Sequence, residues 1–265
     1  VYGGVKKTLR NKEKGMIQGK KIVVWFSCGA ASAVAAKLTI EKYGMDNDVI
    51  VCNTPILEED IDNRRFLADV EKWIGQKIEL VVNSEYPECS AVKVWNDRKY
   101  MSGIKGAPCT KELKKEARYQ WTEENNPDYH VLGFTADEKK RHDLFVISEI
   151  QNVIPVLIEH DFSKGDCFFF IESEGIDLPA VYKEGFPNAN CIGCVKATSP
   201  TYWNHVRLKR PEVFKQRCEQ SRRLKVRLVR HKGKRIFLDE LPEGATGRPM
   251  KNMSFECGIF CEVTN

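Results

Sequence analysis

The segment Ile22-Val23-Val24-Trp25-Phe26-Ser27-Cys28-Gly29-Ala30-Ala31-Ser32 restricts the fold more than any other part of the chain. Five β-branched and aromatic residues follow Lys20-Lys21, the pattern of a strand buried on both faces. The run stops at Ser27-Cys28-Gly29. Alanines, Leu38 and Ile40 then recur at helical spacing from Ala30 to Tyr43, with Gly44 closing the helix. A strand, a small-residue turn and a helix N-terminus converge free backbone N–H groups and the positive end of the helix dipole on one point. Ser27, Cys28, Gly29, Ala30, Ala31 and Ser32 are small enough to let a phosphate reach the backbone, so this turn is a candidate phosphate site. An ordinary tight connection in an α/β protein has the same pattern.

The rest of the first half repeats the alternation. Val49–Cys52 reads as a strand ending at Asn53-Thr54-Pro55, and Glu58–Ile74 as an amphipathic helix closed by Gly75. Ile78–Val82 reads as a third strand, Ala91–Tyr100 and Lys111–Glu124 as helices, Tyr129–Leu132 as a strand ending at Gly133, and Ile154–Ile158 as a fifth strand. Strands and helices alternating at this spacing imply an α/β fold, a Rossmann-like parallel sheet with helices on both faces. Ligands of such sheets collect at the strands' carboxyl ends, here Ser27, Asn53, Thr54 and Gly133.

The character changes after about Asp161, which divides the chain into a tail over 1–20, a nucleotide-binding core over 21–160 and a cysteine-bearing basic region over 161–265. Segment 207–235 carries a formal charge of +11, leaving −6 for the remainder. With Tyr202, Trp203 and His205 beside it, the segment suits a polynucleotide; a solvated helix and hairpin, turning at Lys232-Gly233, is the plainer reading. No apolar run is long enough to span a membrane, and the basic N-terminal segment around Lys6, Lys7 and Arg10 has no secretory core. A cytoplasmic protein is expected.

Ten cysteines in that setting point to metal binding or thiol chemistry rather than to disulfides. Cys191-Ile192-Gly193-Cys194 is one close pair and Cys257-Gly258-Ile259-Phe260-Cys261 another, the spacing by which four thiolates meet on zinc or an iron–sulfur cluster. Cys109 opens a helix, a position that favours a thiolate. Cys28, Cys52, Cys89, Cys167 and Cys218 read as packing residues.

Together these segments resemble the phosphoadenylyl sulfate (PAPS) reductase family of the PP-loop superfamily over most of the chain. Ser27–Ser32 is similar to the family's SGGxDS phosphate loop, with Cys28 in place of a glycine and Ala31 in place of the aspartate. Pro108-Cys109-Thr110-Lys111-Glu112-Leu113-Lys114-Lys115 resembles the CCxxRK segment of the iron–sulfur adenylyl sulfate reductases, with Pro108 at the first cysteine. Gly133, Glu138 and Arg141 resemble the stretch after their fourth strand. The segment from Val181 to Cys194 is similar to LYxxGYxSIGCxxCT, and Glu256-Cys257-Gly258-Ile259 to ECGLH, with Phe260 for the histidine.

The resemblance implies an adenine nucleotide as substrate, with phosphates on the turn and Lys111, Lys114, Lys115 and Arg141 as counter-charges. It implies an iron–sulfur cluster of the 4Fe-4S type, zinc being the alternative, on four of Cys109, Cys191, Cys194, Cys257 and Cys261. Cys257 is then the expected working thiol, attacking the sulfur of PAPS or adenylyl sulfate to give a thiosulfonate that a thioredoxin-like reductant resolves to sulfite. Two alternatives stay open: an ATP-dependent sulfurtransferase acting on tRNA or DNA, and a nucleotide sensor inactivated by Ala31. Assembly as a homo-oligomer belongs to the same expectation.

Overall fold

A computed structural model of the chain describes residues 17–103 and 106–250. The expected Cys257 and Cys261 lie outside the described residues. Five parallel strands form the central sheet: β1 (Lys21–Phe26), β2 (Asp48–Asn53), β3 (Glu79–Leu80), β4 (Tyr129–Val131) and β5 (Val153–Ile154), in the order β3-β2-β1-β4-β5. The α/β reading holds, with Lys21–Phe26 as the middle strand.

The alternation along β1 shows why it must be central. Ile22, Val24 and Phe26 enter one apolar cluster with helix α1 (Ala30–Tyr43) and helix α2 (Asp62–Ile74). Val23 and Trp25 enter another, on the opposite face, with Trp121 and Phe145. A strand apolar at every position has no face to give to water. Ala30, Ala33, Ala35 and Ala36 are fully buried, and their lack of bulk lets α1 lie close on the sheet. Gly75 closes α2 at φ 76°, a left-handed conformation glycine adopts at little cost.

Past β3 come α3 (Ala91–Arg98), capped by the Ser90 hydroxyl, and a continuous helix in three parts. It runs α4 (Pro108–Thr110), a π-helical stretch Lys111–Glu116, and α5 (Ala117–Asn125). After β4, a short 3₁₀ turn (Ala136–Glu138) leads into α6 (Lys139–Ser148). The fifth strand is shorter than its apolar run. Pro155 has no N–H to give to a ladder, and Val156–Glu159 turns into helix α7.

Helix α8 (Lys164–Ser173) is opened by a Ser163/Asp166 capping box and packs Cys167 and Ile171 into the α1 cluster. A second core surrounds α10 (Pro200–Lys209) and α11 (Pro211–Arg223), with α9 (Ala180–Lys183) leading into it. Tyr202 and Trp203 lie in that core at 1% and 0% exposure, which corrects their assignment to a surface aromatic patch. The hairpin β6 (Val229–His231) and β7 (Lys234–Ile236) turns at Lys232 (φ 47°) and Gly233 (φ 77°), as a two-residue hairpin requires. Arg210 ties this half to the first, with Nη2 2.7 Å from Glu184 and 3.1 Å from Asp60. Among the described residues no helix is long and apolar enough to cross a membrane.

Candidate functional site

The turn after β1 is held open by its two serines. The Ser32 hydroxyl donates to Gly29 O at 2.9 Å and accepts the Ser27 backbone N–H at 3.0 Å. Its single proton being spent, the 3.2 Å contact with Ser27 Oγ has Ser27 as donor. Cys28 sits at φ 56° and its side chain is buried. Its thiol receives the Asn53 amide at 3.6 Å, and burial pushes its pKa far up. Gly29, at φ −101°, is the N-cap and offers no side-chain cap, so the first N–H groups of α1 are left for a ligand.

Opposite, Gly133 ends β4 against this turn. A Cβ on Gly133 would lie 2.7 Å from Ser32 N and 2.9 Å from Ala31 C, so only glycine permits the approach. The crevice between β1 and β4 is where the strand order reverses, the usual ligand position of an open parallel sheet. A cavity of 590 Å³ opens there, within the size range of small-molecule sites. Ser27, Gly29, Ala30, Ala31, Ser32, Thr54 and Gly133 all line it.

Three expected residues are not on its walls. Cys28 faces away toward Asn53. Asn53 is buried and donates to Phe26 O at 2.8 Å, so it fixes the ends of β1 and β2. Lys111 is exposed at the start of the π-helical stretch, its Nζ 4.0 Å from Glu112.

The same turn carries Thr110, Lys114, Lys115 and Arg118 to the cavity wall. Single π turns inside α-helices recur at functional sites. Lys114 forms a buried pair with Glu59 at 3.1 Å. Lys115 contacts Glu149, and Arg141 contacts Glu138. Sequence reasoning missed Arg118, which lies in the first turn of α5 just past the π-helical stretch. It also missed Lys164, whose ammonium donates to Asn188 Oδ1 at 2.7 Å in the far wall. Trp25 forms part of the floor and donates through Nε1 to His130 Nδ1 at 3.1 Å. That bond leaves the His130 proton on Nε2, and burial, aided by the Arg118 charge, pushes its pKa down to about 4.

The far wall runs straight into the thiols. Phe186, Pro187, Asn188, Ala189 and Asn190 line the cavity, and Cys191 is the next residue. Gly193, at φ 70°, turns the chain back between Cys191 and Cys194, and Cys194 N donates to the Tyr202 hydroxyl at 2.9 Å. Both cysteines are buried. Arg217, also buried, reaches over the turn with Nε on Gly193 O at 3.2 Å. Burial lowers its pKa, opposed first by Cys191. Two thiols on one tight turn under a buried cation suit half of a four-thiolate metal site, whose charge is negative. Among the described residues no three His, Cys, Asp or Glu side chains form a group able to hold a metal. Cys109 is buried in the same core without completing such a group.

The basic segment is partly spent inside the protein. Arg207 donates to Leu241 O, Arg217 is buried, Arg222 pairs with Asp239 and Glu240, and Arg235 donates to Leu228 O. Lys209, Lys215, Lys225, Arg230, Lys232 and Lys234 remain exposed, without ion pairs among the described residues. A basic face survives, without the aromatic residues expected beside it.

No family model matches the chain, and no curated protein matches it. Among solved structures, the U34-tRNA thiolase NcsA from Methanococcus maripaludis, determined with its [4Fe-4S] cluster, is similar at a TM-score of 0.45 and 13% identity. The match covers 78% of this chain and 68% of that one.

Proposed function

We propose that the chain is a PP-loop-type enzyme that binds an adenine nucleotide and uses it for cysteine-dependent sulfur transfer to a nucleic acid. The observation that carries this is the continuity of the cavity. A phosphate-type turn at a helix N-terminus forms one wall, and the opposite wall passes from Asn190 directly into the Cys191/Cys194 turn. On this reading an activated nucleotide in the cavity would lie next to the chain that carries the sulfur centre. The exposed cations of α11 and the hairpin offer a surface of the charge that a polynucleotide needs.

In this reading the free N–H groups of α1 bind phosphate, while Lys114 and Arg141 balance its charge. Cys191 and Cys194 are two of the four thiolates that would hold an iron–sulfur cluster, which would supply a site for sulfur when bound, and Arg217 would offset the negative charge of those thiolates. With Ala31 in the turn, no carboxylate of the loop itself is available to bind a metal–nucleotide complex. Asp137, exposed on the cavity wall, is an aspartate that could take that place.

A second reading, reduction of PAPS or adenylyl sulfate with Cys257 as nucleophile, is favoured by the Glu256-Cys257-Gly258-Ile259 motif. One assay separates them. Anaerobically purified protein, brown if the cluster is present, is given ATP with tRNA or DNA, and separately each sulfonucleotide with a thioredoxin-like reductant. Pyrophosphate release that requires the polynucleotide supports sulfur transfer. Sulfite release, lost in Cys257→Ser, overturns it in favour of reduction.

A further inference from the structure

Among the described residues, Arg118 on the cavity wall lacks partners that its chemistry demands. Arg118 is 4% exposed and lines the cavity. A guanidinium has five N–H donors and no acceptor, yet among the described residues Nε and Nη2 of Arg118 have no hydrogen-bond partner. Its carboxylate neighbour, Glu149, is 3.8 Å from Nη2, beyond hydrogen-bond reach. That carboxylate is already taken up, by Lys115 and by the Tyr119 hydroxyl at 2.6 Å. Burial pushes the Tyr119 pKa up, so the phenol stays neutral and adds no negative charge. The Tyr119 ring lies 5.4 Å from the guanidinium carbon and brings no formal charge, so two cations face one carboxylate and a positive charge is left over.

Buried donors on a charged group are costly to leave unmade. A planar fork of N–H groups is the geometry that recognises phosphate and sulfate oxygens. The π-helical turn upstream supplies an independent indication, because it sets Arg118 and Lys115 on the cavity side together. We propose that Arg118, with Lys115 beside it, forms a second tetrahedral-oxyanion subsite in this cavity, apart from the turn at Ser27–Ser32. It takes a phosphate or sulfo group of the ligand beyond those held by the turn. Only the identity of that ligand rests on the nucleotide reading; the oxyanion chemistry does not.

The test uses the full chain, inorganic phosphate and sulfate as separate probes, and the fluorescence of Trp25 on the cavity floor. Gly29→Val blocks the turn, because its branched side chain projects to where the phosphate would sit. In that background the protein still binds one oxyanion. Adding Arg118→Gln weakens binding at least tenfold, and Arg118→Lys restores part of it. Lys115→Met weakens it less, and thermal unfolding verifies that each variant is folded. Whichever probe binds more tightly identifies the group as phosphate or sulfo. Gly29→Val protein that binds neither anion, or Arg118→Gln with unchanged affinity, overturns the subsite. A wild type that binds no adenine nucleotide yet shows the Arg118-dependent pattern refutes the nucleotide reading and leaves the subsite standing. Nucleotide binding indifferent to Arg118→Gln does the reverse.

Discussion

Gly133→Ala tests how closely the end of β4 and the first turn of α1 depend on each other. The added methyl would sit 2.7 Å from Ser32 N, 2.9 Å from Ala31 C and 2.9 Å from Ser32 Cα. All three are backbone atoms, so no side chain can rotate away. Ordinary contacts lie at about 3.5 Å, so the first turn of α1 must retreat by roughly 0.8 Å. Overpacking of this kind costs about 1–3 kcal/mol. For a domain of this size that lowers Tm by roughly 2–12 °C. The same retreat moves the Ser32 N–H away from a phosphate, and ATP affinity should fall about tenfold, or ~1.4 kcal/mol. Gly29→Ala is the control: its Cβ would meet the Tyr182 hydroxyl at 3.4 Å and Ser27 Oγ at 3.7 Å, ordinary contacts, at a φ any residue adopts. Circular-dichroism melts and ATP titrations of the two variants give the answer. Gly133→Ala protein with the Tm and ATP affinity of the wild type would refute the argument.

Other perturbations have equally definite outcomes. Asn53→Ala removes the amide held by the Phe26 carbonyl and should cost about 1–3 kcal/mol in urea unfolding, since a buried acceptor loses its donor. His130 is held neutral in the folded protein with a pKa of about 4, against about 6.5 when unfolded. The unfolded chain thus binds the extra proton between those values. Stability from this group is complete above pH 6.5 and is lost as pH falls toward 4, by roughly 3 kcal/mol; His130→Gln should flatten that slope in urea titrations. Reversing Arg223, Arg227 and Arg230 to glutamate should weaken tRNA or DNA binding at least tenfold and reduce its salt dependence, whereas Arg222, engaged with Asp239 and Glu240, should matter less.

Much of the fold was legible because single residues decided it. The doubly apolar β1 had to be central, Gly75 had to end α2, and Lys232-Gly233 had to turn a hairpin. The run Ile154–Ile158 misled because apolar residues alone do not separate a strand from a buried helix, and Pro155 was decisive. Ser27, Thr54 and Gly133 were legible as site residues from their place at strand ends. Lys111 and Arg118 were not, since their directions depend on a π turn that no local pattern announces. Tyr202 and Trp203 looked like surface aromatics beside a basic segment, yet tertiary packing buried them against Phe186 and Phe214.

The central claim is that the turn Ser27–Ser32 holds the phosphates of an adenine nucleotide. Titrating the purified chain with ATP, PAPS and adenylyl sulfate, while following tryptophan fluorescence, tests it most directly. At least one of the three should bind saturably at one site per chain, and Gly29→Val should abolish that binding while leaving the melting transition cooperative. Saturable binding that Gly29→Val leaves untouched, or no binding of any of the three, would contradict it.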